Sequence, residues 1–293
     1  MTAVGTCMVL GGAASIPSVP AIALAQLALA AGAEHPAVSM DGVHIAFVSD
    51  GDVFVMGADG KGLMRLTRTP SNEADPAWTR RGKIVYSIFE NDRSQLWTIE
   101  PDGKNAHVIA TVPGREPVLS PDESRVLYWT GSWTSTRLLV ARLDGSAVQQ
   151  ITDGSSIAWN SRWSPDGREI AFTGRDAAGT LDVCVINADG SGLRQLTRLP
   201  PSEGQAQVPS WSPDGRQIAF QTTPAKGKPG YIWIADARTG VARKVTMHGL
   251  PYADEVPVWF PDGQRLAFQS NRTGRMEIWT IGANGGGLRQ LTR

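Results

Sequence analysis

Titratable and hydrogen-bonding side chains recur shortly before a series of tight turns: Glu34 and His35, Glu73 and Asp75, Arg115 and Glu116, Asn160 and Arg162, Gln207, and Asp254 with Glu255. Carboxylates converging on one centre could hold Ca²⁺ or another hard divalent cation, which takes oxygen ligands, or could receive a basic peptide. The imidazole of His35 among them adds a candidate transition-metal ligand. A pair drawn from Glu73, Asp75 and Glu116 has the residue types of a glycosidase, in which two carboxyl groups act across one scissile bond. A second set is aromatic. Trp129, Trp133 and Trp159 stand apart from the other tryptophans, and His248 and Tyr252 share one short stretch. Flat rings with a polar tip form a platform for a sugar ring or a peptide side chain. Nucleophile-elbow and zinc-protease signatures are missing. The runs Gly190-Ser191-Gly192 and Gly285-Gly286-Gly287 lack the Lys-Ser/Thr of a phosphate loop.

These residues are placed by a repeat. Ser164-Pro165-Asp166-Gly167 recurs as Ser212-Pro213-Asp214-Gly215, and with one change as Phe260-Pro261-Asp262-Gly263, Ser120-Pro121-Asp122-Glu123 and Ser39-Met40-Asp41-Gly42. Thr79-Arg80-Arg81-Gly82 is a worn sixth copy. Proline sets φ at the second turn position and glycine completes the turn, so each copy joins two strands tightly. A strand of alternating large residues follows, as in Ile45-Ala46-Phe47, Ile170-Ala171-Phe172, Ile218-Ala219-Phe220 and Leu266-Ala267-Phe268. A third strand carries Trp97, Trp233 or Trp279, a second tight turn comes at pairs such as Asp102-Gly103 and Asp189-Gly190, and a fourth strand ends at Leu66-Thr67, Leu196-Thr197 or Leu291-Thr292.

One such unit cannot cover both faces of its own sheet, whereas six arranged radially cover one another. The expected fold is all-β, a six-bladed β-propeller of four-stranded antiparallel blades over residues 34–293. The blades are expected at about 34–68, 73–110, 115–152, 160–198, 207–246 and 255–293. The string Pro-x-Trp-Ser-Pro-Asp-Gly-x-x-Ile-Ala-Phe, then Ile-Trp, Asp-Gly and Leu-Thr, resembles the repeat of the TolB-like propellers. A related repeat occurs in propeller domains of the prolyl oligopeptidase family. The resemblance implies a periplasmic or secreted bacterial protein that binds a protein or peptide, and it is specific for fold rather than function. TolB proteins carry an α/β domain before the propeller; residues 1–33 are too short for one, so a propeller without it is expected.

Residues 1–33 contain no Asp, Glu, Lys, Arg or His. The apolar run from Met8 ending in Ala31-Gly32-Ala33 resembles an export signal with a small-x-small end, though no basic region precedes it. An ordered N-terminal arm is the second reading, and a membrane anchor through this segment the third; Pro17 and Pro20 interrupt a span that needs about 20 apolar residues. Ring closure is expected by packing of blade one on blade six, or by residues 21–33 adding an edge. With 28 basic and 28 acidic residues the net charge is zero, which argues against nucleic acid as a partner. Cys7 and Cys184 make no disulfide framework. A monomer is expected.

Trp78, Trp163, Trp211 and Trp259 fall at one repeat position, and Trp97, Trp233 and Trp279 at another, so these seven read as packing between blades. Cys184 stands where a third-strand Trp stands elsewhere and reads as a small core residue. The candidate binding residues at the channel mouth and its loops are therefore His35, Glu73, Asp75, Arg115, Glu116, Trp133, Trp159, Asn160, Arg162, Gln207, His248, Tyr252 and Glu255. Two functions fit them: a protein- or peptide-binding scaffold, or a carbohydrate-active enzyme (polysaccharide lyase or glycoside hydrolase) acting on an oligosaccharide.

Overall fold

The computed structural model describes residues 29, 32–176, 178–223, 229–249 and 252–293. Most of the uncharged segment, with Cys7, Pro17 and Pro20, lies outside them. The remainder forms six four-stranded antiparallel sheets in a six-bladed propeller. Blade one comprises Glu34–Val38, His44–Ser49, Asp52–Gly57 and Met64–Arg65. Blade two comprises Glu73–Trp78, Ile84–Glu90, Arg93–Ile99 and His107–Val112. Blade three is Arg115–Leu119, Arg125–Ser132, Ser135–Arg142 and Gln149–Gln150. Blade four is Ala158–Trp163, Glu169–Arg175, Leu181–Asn187 and Arg194–Gln195. Blade five runs Gln205–Trp211, Gln217–Thr223, Ile232–Asp236 and Ala242–Lys244. Blade six runs Asp254–Trp259, Arg265–Ser270, Glu277–Gly282 and Arg289–Gln290.

The first turn of each blade is stabilised from within. In blade four the Ser164 hydroxyl donates to Asp166, the Asp166 carboxylate accepts the Arg168 N–H, and the Ser164 oxygen accepts the Glu169 N–H. Gly167 sits at φ 70°, a conformation glycine adopts without steric cost. The repeated Asp is thus a turn residue, and its hydrogen bonds with Ser164 and Arg168 hold the Asp166 carboxyl below its ordinary range.

Alternation along the second strand decides how blades stack. Ile218 and Phe220 of blade five pack toward Ala171 of blade four, while Ala219 meets Trp259, Leu266 and Phe268 of blade six. A small residue on one face leaves room for large ones from the next blade, at interior packing density. The inner-strand tryptophans also bond across the seam. Nε1–H of Trp78 donates to Ala37 O, of Trp163 to Val118 O, of Trp211 to Arg162 O and of Trp259 to Ser210 O. Blades one and three carry Val38 and Leu119 at this position, so the seams between blades six and one and between blades two and three lack the bond.

The fourth strands are shorter than the sequence pattern suggests, and the Leu-Thr pairs lie just beyond them. There the threonine hydroxyl accepts the third-strand N–H that a longer ladder would have taken. Thr67 serves Val53, Thr152 serves Leu138, Thr197 serves Val183, Thr246 serves Ile232 and Thr292 serves Ile278. Blade two has no such threonine and instead extends its fourth strand along Ser94–Thr98.

Every sheet is one continuous run of chain, so packing closes the ring. Val38, Ile45 and Phe47 of blade one share a buried cluster with Phe260, Ala267 and Ile278 of blade six. Leu29 and Ala33 join that cluster, and the Ala33 N–H donates to Met276 O at 2.8 Å.

Candidate functional site

Because the strands alternate in direction, the inner strands begin on the face that also carries the second-to-third-strand loops. Each inner strand contains a bulge, and at each one residue adopts a left-handed backbone. These are His35, Asp75, Glu116, Asn160, Val208 and Val256, all with φ between 49° and 54°. They occupy one repeat position and form a ring about the channel, polar on blades one to four and apolar on blades five and six. Left-handed backbone is costly for β-branched valine. Several of the N–H groups so exposed are taken by side chains of the preceding blade. Gln269 accepts from His35, Glu116 from Asn160, Thr173 from Val208 and Gln221 from Val256. Sequence reading missed Thr173, Gln221 and Gln269; the available signal was a polar residue at one shared second-strand position.

Within the ring, His35 Nδ1 lies 3.0 Å from Asp75 Oδ1. Burial alone would lower the His35 pKa, but the hydrogen bond and charge of Asp75 outweigh it and raise the value above 6.5. Burial likewise opposes ionisation of Asp75, and the bond and charge of His35, with the charge of Arg162, still hold it below the ordinary value. Burial, and then the neighbouring Asp75 charge, push the Glu116 carboxyl up. The sign of the pH dependence follows. The stabilisation from His35 is fully present below the ordinary histidine pKa and is lost as pH rises through the raised folded-state value. That from Asp75 is present above the ordinary carboxylate value and is lost as pH falls through its lowered one. Between about pH 5.5 and 8.5 the wild-type protein should therefore lose more stability than His35→Gln. Urea midpoints at the two pH values check this, and equal losses would contradict it.

The predicted site residues do not all reach one place. Arg162 lines the channel, its guanidinium donating to Ser161 O. Arg115, Trp159, Gln207 and Glu255 each immediately precede a ring residue. Gln207 donates to Thr223, and Glu255 accepts from Gln269. Glu73 requires a correction: it is buried inside blade two, where its carboxylate accepts from Thr67 and Thr69 and burial raises its pKa. Asp254, at the matching position, is 0% exposed between Arg272 and His248, whose Nε2 lies 2.9 Å from its Oδ2. With Glu73 and Asp254 withdrawn into the blades, the carboxylates do not converge as one channel set. Among the described residues no group of three or more His, Cys, Asp or Glu is placed to hold a metal ion.

The aromatic residues form two groups rather than one platform. His248 packs tilted against Tyr231 and Tyr252, at ring separations of 4.9 and 6.0 Å, by the seam of blades five and six. On blades three and four, Trp133 lies edge-on to Trp129 and Trp159, at 5.4 and 5.8 Å. Trp129, set apart with Trp133 and Trp159 as a functional candidate, is only 2% exposed and belongs to the core of blade three, whereas Trp133 is 61% exposed. The Arg115 guanidinium sits 3.8 Å over the ring of Phe89, a residue the sequence did not single out, and 5.6 Å from Trp133. Just before Arg115, Gly114 lets the chain pass close to the second strand of blade three, since a Cβ there would collide with Trp129 O. Below the ring, the channel opens on the opposite face as a cavity of about 660 Å³, walled by Trp78, Trp163, Trp211 and Trp259. Cys184 sits opposite Phe172 in the blade-four ladder, and burial pushes its thiol up to about 12, the behaviour of a packing residue.

Comparison with known proteins agrees with this architecture. Residues 198–293 match the PD40 profile, the TolB beta propeller domain. A protein TolB homolog of Chlorobium luteolum is 26% identical over 167 residues, which span 54% of this chain and 37% of that protein. The chain thus spans well under half the length of that relative. The crystal structure of TolB from Acinetobacter baumannii superposes with a TM-score of 0.66 at 20% identity, covering 90% of this chain and 67% of the other. An oligogalacturonate lyase in complex with manganese gives a TM-score of 0.60 at 17% identity, covering 88% and 76%. At these identities the solved structures share the fold, and the fold alone.

Proposed function

We propose that this chain, a TolB-like six-bladed propeller, is a binding scaffold of the bacterial envelope that holds a protein or peptide segment at the loop-bearing mouth of its channel. The observation that carries the reading is Trp133. This large ring, 61% exposed, packs edge-on against Trp129 and Trp159 beside the stacked Arg115, and Arg115 and Trp159 directly precede the ring residues Glu116 and Asn160. Exposed Trp and Arg on a rigid rim are the residue types that dominate protein interfaces. A periplasmic or secreted location fits the signal-like residues 1–33 and the TolB likeness; no helix among the described residues is long and apolar enough to cross a membrane. The enzyme reading has less support, because the two carboxylates left in the ring are already engaged, Asp75 by His35 and Glu116 by the Asn160 N–H.

A displayed-peptide library selected on the wild-type protein tests the proposal. Enriched peptides should bind Trp133→Ala about thirtyfold more weakly, the equivalent of about 2 kcal/mol for a hot-spot ring. Peptides that bind both proteins equally, or no enrichment at all, would remove the support for this mouth. Turnover of a polysaccharide, abolished by Asp75→Asn or Glu116→Gln, would favour the enzyme instead.

A further inference from the structure

We infer that the cluster of Phe89, Arg115, Trp129, Trp133 and Trp159 on the mouth takes a carboxylate carried beside an apolar or aromatic group, as on an acidic side chain or a chain terminus of the bound segment. The inference rests on the reading of this mouth as a peptide site and names the chemistry it selects.

Two donors point to it. Stacking on Phe89 engages the face of the Arg115 guanidinium and leaves the N–H groups on its edge, and among the described residues Arg115 has neither a carboxylate partner nor a hydrogen bond. An arginine held flat on a ring is preorganised to meet a carboxylate in its plane with two parallel bonds. The indole N–H of Trp159 is buried without an acceptor, whereas that of Trp129, also buried, is turned to the Glu116 carboxylate. A buried donor without an acceptor is costly, so a ligand that supplies one gains on binding. The Trp133 ring lies edge-on to Trp159 and 5.6 Å from the Arg115 guanidinium, so a ligand that shifts this ring meets the guanidinium and the Trp159 indole together. The carboxylates closest in the chain are already engaged, Glu116 by the Asn160 N–H and the Trp129 indole and Glu90 by the Ser71 hydroxyl, and neither pairs with Arg115. A carboxylate is an acceptor without a donor, which matches the unpaired Arg115 guanidinium and Trp159 indole.

The test uses N-acetyl-phenylalanine as probe and N-acetyl-phenylalanine amide as its uncharged counterpart, with the indole N–H signals of the full chain read by NMR. Trp129→Phe and Trp159→Phe assign the two signals. The acid should shift the Trp159 signal and the amide should leave it in place. Arg115→Gln, a substitution at the surface that leaves the core intact, should weaken binding of the acid at least tenfold, and Arg115→Lys should fall between. Equal shifts with acid and amide, no shift with either, or unchanged affinity in Arg115→Gln would overturn the inference. Displayed peptides that depend on Trp133 but bind Arg115→Gln as well as wild type would sink this inference alone. Peptides indifferent to both substitutions would remove the peptide reading as well.

Discussion

Trp211→Ala should lower the unfolding free energy by about 3–5 kcal/mol, the range for removing a large buried aromatic side chain. Trp211 is 8% exposed and packs with Ala171, Val183 and Val185 of blade four and with Phe220 and Trp233 of its own blade. Its Nε1–H also donates to Arg162 O across the seam. Because no sheet shares strands between the two ends of the described chain, every seam is held by packing and by such bonds. Trp211→Phe keeps most of the apolar area and loses the bond, so it should cost only about 0.5–1.5 kcal/mol beyond the lost area. Urea unfolding of the two variants separates the terms. An alanine variant within 1 kcal/mol of wild type would mean that the seams do not hold the ring.

The second large effect is expected at the seam of blades five and six. Asp254 is fully buried, and Arg272 supplies its charge partner while packing over Phe268 and Trp279. Arg272→Met keeps much of the packing and removes the charge, leaving Asp254 with His248 alone. Breaking a buried pair from one side costs about 3–5 kcal/mol, mainly through the carboxylate left behind. Removing both charges should therefore cost less than removing one. The double variant Arg272→Met/Asp254→Ala is expected to recover part of the loss, as a double-mutant cycle in thermal or urea unfolding reports. A double variant less stable than the single one would mean that Asp254 stabilises the blade by contacts other than this pair.

Much of the architecture was legible because the repeat is local chemistry. The Ser-Pro-Asp-Gly turns, the Ile-Ala-Phe alternation and the paired tryptophan positions each depend on neighbours close in the chain, so turn geometry and side-chain period predict them. The seven repeated tryptophans pack between or within blades, as their regular spacing implies. The fourth strands were read too long. In a Leu-Thr pair the threonine hydroxyl substitutes for backbone, which a pattern of apolar residues does not show.

The site divides differently. From its residues alone, this protein is a chain of six blades with polar inner-strand entries, and its likeness to the TolB-like propellers is carried by those same motifs. Which polar residues share a space was decided by the tertiary structure. In a regular strand Glu73 and Asp75, two residues apart, would lie on one face. The left-handed bulge at Asp75 sends Glu73 into the blade and Asp75 to His35 in the channel. Trp129 and Trp133 lie in one hairpin, yet one is core and the other rim, because the neighbouring inner strands close over the first and leave the loop free. Phe89, from a different blade, meets Arg115 only when blades two and three stand side by side. Local sequence specifies each blade, but contacts between blades join residues far apart in the chain, and only the closed ring brings them within reach.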